Sequence, residues 1–144
     1  MSIAAIRQGL ATNLATIPEV QVSAYILSNP TPPTVWVMGA TTDYDRTMGS
    51  RRTGNRYTDE YTATIQAIVS LNEDIGSQAL LDNLLSPSGT YSVKAALEAD
   101  PTLGGVCDSL WVSNASAPAV STFLTSPLLL SEWSVTIYCT EVSL

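Results

Sequence analysis

The chain has 144 residues, six Lys/Arg against thirteen Asp/Glu, a formal net charge of −7 and no histidine. That length suffices for one domain, residues 1–144, whose core needs neither disulfides nor metals. The missing histidine removes the commonest general base and the commonest metal ligand, and the acidic balance argues against nonspecific duplex binding, which needs Lys/Arg at phosphates.

Ser2 to Thr16 predicts an amphipathic helix. Ile3, Ile6, Leu10, Leu14 and Ile17 recur at spacings of three and four, and Ser2 is a fair N-cap. Gly9 weakens a helix by about 1 kcal/mol relative to Ala, so packing must support it. Pro18 ends the helix. The opening residues lack the charged and apolar regions of a signal peptide, so the expected starting compartment is a cytoplasm. Val20 to Leu27 alternates loosely and predicts a strand. Ser28 to Pro33 is a stiff loop. Thr34 to Ala40, with Val35, Trp36, Val37 and Met38 in a row, predicts a strand buried on both faces or at an interface.

Thr41 to Arg56 shows no apolar period and predicts a long loop between two strands. It carries Arg46, Arg51, Arg52 and Arg56, four of the six basic residues, among glycine and hydroxyl residues. Long loops in compact domains are usually functional or disordered. Tyr57 to Ser70 then alternates strictly. Tyr57, Asp59, Tyr61, Ala63, Ile65, Ala67 and Val69 take one face; Thr58, Glu60, Thr62, Thr64, Gln66 and Ile68 take the other. Asn72 caps a helix over Glu73 to Leu85, whose expected apolar stripe is Ile75, Ala79, Leu80 or Leu81, Leu84 and Leu85.

The clearest grammar lies from Ser86 to Val112. A Ser-Pro-Ser-Gly turn leads into a short helix, Val93 to Ala99, capped by Ser92 or Thr90. Pro101 disfavours helix at Asp100 and stops it. Gly104-Gly105 turns the chain into a strand, Val106 to Ser113. Ala115 to Pro127 reads as irregular. Glu132 to Val142 alternates again, with Trp133, Val135, Ile137 and Cys139 on one face. Cys107 and Cys139 read as small core residues in a reducing compartment; a disulfide requires their strands to be neighbours.

The expected fold class is α+β: one mostly antiparallel sheet, helices packed on one face, and a long strand–strand loop over residues 41–56. No apolar run approaches a membrane span. A catalytic set is missing from the inventory. No triad base exists, Asp59 and Glu60 point to opposite strand faces, and Asp43-Tyr44-Asp45 lacks a third metal ligand in register. No cofactor is expected. The arginine-rich loop, with Tyr57 at its end, is the one candidate site, for a neighbouring subunit's acidic surface or for DNA phosphates; the alternative is a solvated loop tip.

The segment Ser86-Pro87-Ser88-Gly89-Thr90, continuing through Ser92-Val93-Lys94-Ala95-Ala96-Leu97-Glu98-Ala99-Asp100-Pro101-Thr102-Leu103-Gly104-Gly105-Val106, resembles one in small structural proteins of long-tailed bacteriophages. These are the tail terminators, also called head–tail connector or tail completion proteins. The resemblance covers about the second half of the chain and does not extend to Arg46 to Arg56. It implies a homo-hexameric ring in the virion, assembled in the host cytoplasm, that caps the head-proximal end of the tail tube and meets the head's connector. DNA would pass through that ring without specific binding. The alternatives are a head-side completion or stopper protein of the neck, or a small-molecule binding domain with a pocket lined by Trp36, Trp111 and Trp133. The low charged fraction, 13%, fits a chain whose surface is partly covered by other subunits.

Overall fold

The computed structural model describes residues 3–28, 31–44, 56–71, 74–123 and 126–142. Among them are three helices, α1 (Ile3–Leu14), α2 (Asp74–Leu85) and α3 (Val93–Glu98). Six strands make one sheet: β1 (Gln21–Ser23), β2 (Thr34–Asp43), β3 (Arg56–Ser70), β4 (Ser109–Ala115), β5 (Ala119–Phe123) and β6 (Ser126–Val142). The strand order is β1-β2-β3-β6-β4, with β5 also paired to β6. Only the β1–β2 pair is parallel. The class is α+β, as the patterning predicts.

β3 and β6 are the spine. They pair antiparallel along the whole of β3, from Arg56 opposite Val142 to Ser70 opposite Leu128. Odd-numbered residues of both strands face one side. Ala63, Ile65, Ala67, Val69, Trp133, Val135, Ile137 and Cys139 are all buried there. All three helices cover that side: Ile6, Leu10 and Leu14 from α1, Leu81 and Leu84 from α2, and Val93 and Leu97 from α3 join the same core. Among the described residues, the opposite side carries no helix. It holds a smaller apolar cluster of Trp36, Ile68 and Leu128, packed against Leu27, Met38 and Leu130. The continuous apolar run in β2 is thus explained: Val35 and Val37 enter the main core, and Trp36 enters the second cluster.

Several elements differ from the sequence reading. The strand expected over Val20 to Leu27 shrinks to Gln21–Ser23. β2 runs on to Asp43, and β3 includes Arg56, so the expected loop is shorter at both ends. The irregular stretch contains β5, and β6 starts at Ser126 rather than Glu132. β4 and β5 lie end to end along β6, as one antiparallel arm broken at Ser116–Pro118. Ser116 bridges the break: its N–H donates to the Glu132 carbonyl at 2.8 Å, and its Oγ accepts the Glu132 N–H at 3.0 Å. Pro118 precedes β5 and Pro127 is the second residue of β6, and the two prolines hid this pairing because strands admit proline at their ends. In α2 the buried stripe is Leu81 and Leu84, while Ile75 is 80% exposed. The start of α2 stands off the sheet, leaving a cleft lined by Pro33, Val69, Gly76 and Leu80. The N-caps expected at Ser2 and Asn72 lie outside the described residues.

The turn after α3 is held by its own side chains and by α1. Ser92 is the N-cap; its Oγ accepts the Ala95 N–H at 3.0 Å and donates to the Ser86 carbonyl at 2.6 Å. The helix ends at Glu98, two residues before Asp100-Pro101. Asp100 then folds the turn on itself, accepting from Thr102 Oγ1 at 3.1 Å and from the Gly104 N–H at 2.8 Å. Leu103, Gly104 and Gly105 have φ of 52°, 69° and 95°. α1 receives this turn. Asn13 Nδ2 donates to the carbonyls of Leu97 and Asp100, both at 3.1 Å, and so closes the end of α3. Leu103 is buried against Gly9, where an added Cβ would stand 2.8 Å from the Leu103 Cβ. This is the packing that the glycine in α1 serves.

Gly9→Ala therefore exchanges a favourable helix propensity for a clash. The expected result in urea titration is a net loss of about 1 kcal/mol or more, against the gain of similar size expected at an open helical site. Gly104→Val and Gly105→Val should each cost more than about 1 kcal/mol, because both positions hold positive φ. Unchanged thermal melts for these two variants would remove the argument for the turn.

Candidate functional site

The arginine-rich loop lies largely outside the described residues. Arg46, Arg51 and Arg52 fall in residues 45–55. Arg56 and Tyr57 are described by their backbone alone, as the first rungs of β3 opposite Val142 and Glu141. The structure does describe the root of that loop and the open sheet face leading to it.

That face is rich in hydroxyls and carboxylates. Thr41, Thr62, Thr136 and Trp111 stand in one row across β2, β3, β6 and β4, and Asp43, Glu60, Tyr138 and Ser109 stand in another. Trp111, 43% exposed, lies against Tyr138 with ring centroids 5.3 Å apart. Thr58 and Thr140 are 3.3 Å apart across the strands, and Thr140 also donates to Asp108. Nearer the second apolar cluster, Trp36 Nε1 donates to Gln66 Oε1 at 2.9 Å, and Gln66 Nε2 donates to Glu132 Oε2 at 3.4 Å. The register Trp36–Gln66–Glu132 makes that relay a straight line over three strands. It keeps a buried indole N–H and a buried amide satisfied.

The two cations whose side chains are described are both used inside the fold. Arg7 reaches from α1 to the sheet border, where β2 bulges between Val37 and Gly39. Its Nη1 donates to the carbonyls of Ala24 at 2.8 Å and Val37 at 2.9 Å, and its Nη2 to Met38 at 3.2 Å. The guanidinium also lies 4.7 Å from the Tyr25 ring centroid. On the other border β4 bulges between Val112 and Asn114. Here Glu98 of α3 accepts the Val112 N–H at 2.9 Å, while its other oxygen pairs with Lys94 at 2.5 Å. Sequence reading gave Glu98 and Arg7 no role. Nothing in the sequence marks a bulge for a charge to meet.

Trp36, Trp111 and Trp133 do not line one pocket. Trp133 is in the main core, and the other two belong to the opposite sheet face. Among the described residues, no group of three His, Cys, Asp or Glu comes together in a way that could hold a metal ion. No helix among them is long and apolar enough to cross a membrane. A scan against protein-family models gives no match to this chain, and a search of curated proteins gives no significant match.

The Glu98 carboxyl links helix, bulge and charge, and its titration reports on them. Burial pushes its pKa up, but the Lys94 ammonium and the Val112 N–H outweigh burial and hold it below the ordinary 4.5. A depressed carboxyl pKa stabilises the fold above the unfolded-state value, and the contribution fades as pH falls through the folded-state value. Melting temperatures of the wild type and Glu98→Gln should therefore differ most at neutral pH and converge in acid. A difference that stays constant down through the carboxylate range would assign the Glu98 effect to packing rather than charge.

Proposed function

We propose that this chain is a structural virion protein of a long-tailed bacteriophage, a tail terminator-like subunit that closes into a homo-hexameric ring. The ring caps the head-proximal end of the tail tube, ends tube polymerisation and joins the tail to the head's connector. The observation that carries this reading is the stretch from Ser86 to Val106, which resembles the corresponding segment of tail terminators. The turn it contains packs against α1 and leads into β4, so the resemblance falls on a segment that joins helices to sheet.

Two features of the molecule support the reading. Its helices cover one face of the sheet, and the other is a broad hydroxyl-rich surface suited to lie against further protein or to border a channel. An acidic, sparsely charged subunit also suits a ring that DNA traverses, because a basic lumen would hold the duplex by its phosphates. The role is one of assembly, with no chemical step assigned to any residue.

Arg7 and Lys94 are engaged within the fold, so the positive charge assigned to assembly is that of Arg46, Arg51, Arg52 and Arg56. In a ring of acidic subunits, the adjacent subunit or the rim of the tube is the nearest complement. Each exposed pair contributes only about 0–1 kcal/mol, but copies repeated around a ring act together.

Light scattering and negative-stain imaging of the purified chain, alone and with tail tube protein, test the proposal. The expected particle is a closed ring, with interfaces burying on the order of 1,000 Å² or more. A chain that stays monomeric at high concentration and in the presence of tubes would overturn it. Rings that bind the head connector but leave tubes uncapped would reassign the subunit to the head side of the neck. Replacing Arg51, Arg52 and Arg56 by Ser should leave the melting temperature nearly unchanged and weaken ring closure or capping, most clearly at low salt. Normal capping by that variant at every salt concentration would leave the arginines without an assembly role.

A further inference from the structure

We propose that Cys107 and Cys139 form an oxidisable pair, in which a disulfide pins the turn after α3 to the central strand β6. Neither cysteine is in a disulfide, and both are buried, at 6% and 0% exposure, in the main core. Their proximity follows from the start of β4. Leu110 faces the core opposite Ile137, so regular alternation would turn Asp108 inward beside Cys139. Asp108 is instead exposed, and Cys107 takes the buried place. The Asp108 N–H donates to the Tyr138 carbonyl at 2.8 Å and holds this arrangement against β6. Cys107 Sγ donates to the Pro101 carbonyl at 3.5 Å, which fixes the thiol on the inner side of the turn, where β6 carries Cys139.

The reaction needs an oxidant of the disulfide class, such as oxidised glutathione. One cysteine thiolate attacks a glutathione sulfur, and a glutathione thiolate leaves. The second cysteine attacks the resulting mixed disulfide at the protein sulfur and expels the other glutathione. The protein loses two hydrogens, and the oxidant becomes two thiols. Cys107, the less buried residue, is the first attacker. Burial, helped by Asp108 and Asp100, raises its pKa to about 11 despite the contact with Cys139. Little thiolate is therefore present near neutral pH, and the exchange proceeds slowly. The pair stays reduced in a glutathione-buffered cytoplasm and closes after transfer to an oxidising medium.

The test incubates the full chain with excess oxidised glutathione at mildly alkaline pH, then unfolds it, alkylates it and maps its peptides. The expected product is an intramolecular Cys107–Cys139 cross-link with a mass lower by two hydrogens. Its melting temperature should rise on the order of 10 °C, as loop closure in the unfolded chain predicts, and fall back on reduction. Cys107→Ser under the same oxidant should show no such rise. Two alkylatable thiols, stable glutathione adducts or covalent dimers as the products would overturn the proposal, as would an equal rise in Cys107→Ser.

Discussion

Leu103 lies against α1 at Gly9, with no room between them for a Cβ. Much of the molecule depends on that approach. It requires a glycine in the middle of α1, a left-handed Leu103, and the two glycines that follow in the same region of φ. It brings Asn13 to the end of α3, so the first helix closes the third across most of the chain's length. With α3 fixed, Glu98 meets the border of β4, and the chain returns beside β6 at Asp108. A local turn thus becomes a long-range constraint because Asn13, from another helix, takes the carbonyls of Leu97 and Asp100 that the turn leaves open.

Charge has been allotted in the same economical way. A chain with few ionised groups places Arg7 and Glu98 at the two bulges of its sheet, where the ladder leaves backbone groups without strand partners. An arginine suits the first because its planar fork reaches three carbonyls together. A carboxylate suits the second because the orphan group is an N–H. Neither residue would be replaced neutrally by one of the same charge class at random, since the geometry of the donor or acceptor matters as much as its sign.

Strict alternation made β3 and most of β6 legible, because a strand with one covered face must repeat every second residue. The turn after α3 was legible for a different reason: proline and paired glycines act locally and need no knowledge of the fold. What escaped was set by tertiary contact. β5 lies in a proline-bounded segment whose pairing depends on β6 being longer than its own pattern suggests. Val20 to Leu27 alternates, yet only Gln21–Ser23 finds a partner before Arg7 occupies the next carbonyls. Ile75 fits the helical period of α2 but lies beyond the point where that helix meets the sheet. The clustering of the four arginines was plain in the sequence, whereas the engagement of Arg7 and Lys94 within the fold emerged only from their neighbours in space.

The position of Arg7 bears on how the sheet ends. A border strand ordinarily offers a row of unsatisfied carbonyls, a template onto which any extended peptide can lay itself. β1 covers only the first three residues of β2, and at Val37 and Met38 the acceptors already hold a guanidinium. A strand arriving there finds nothing to bind and must displace a charge seated on an aromatic ring. Arg7 therefore acts as a plug at this point of the border, a local stop against growth of the sheet by backbone pairing.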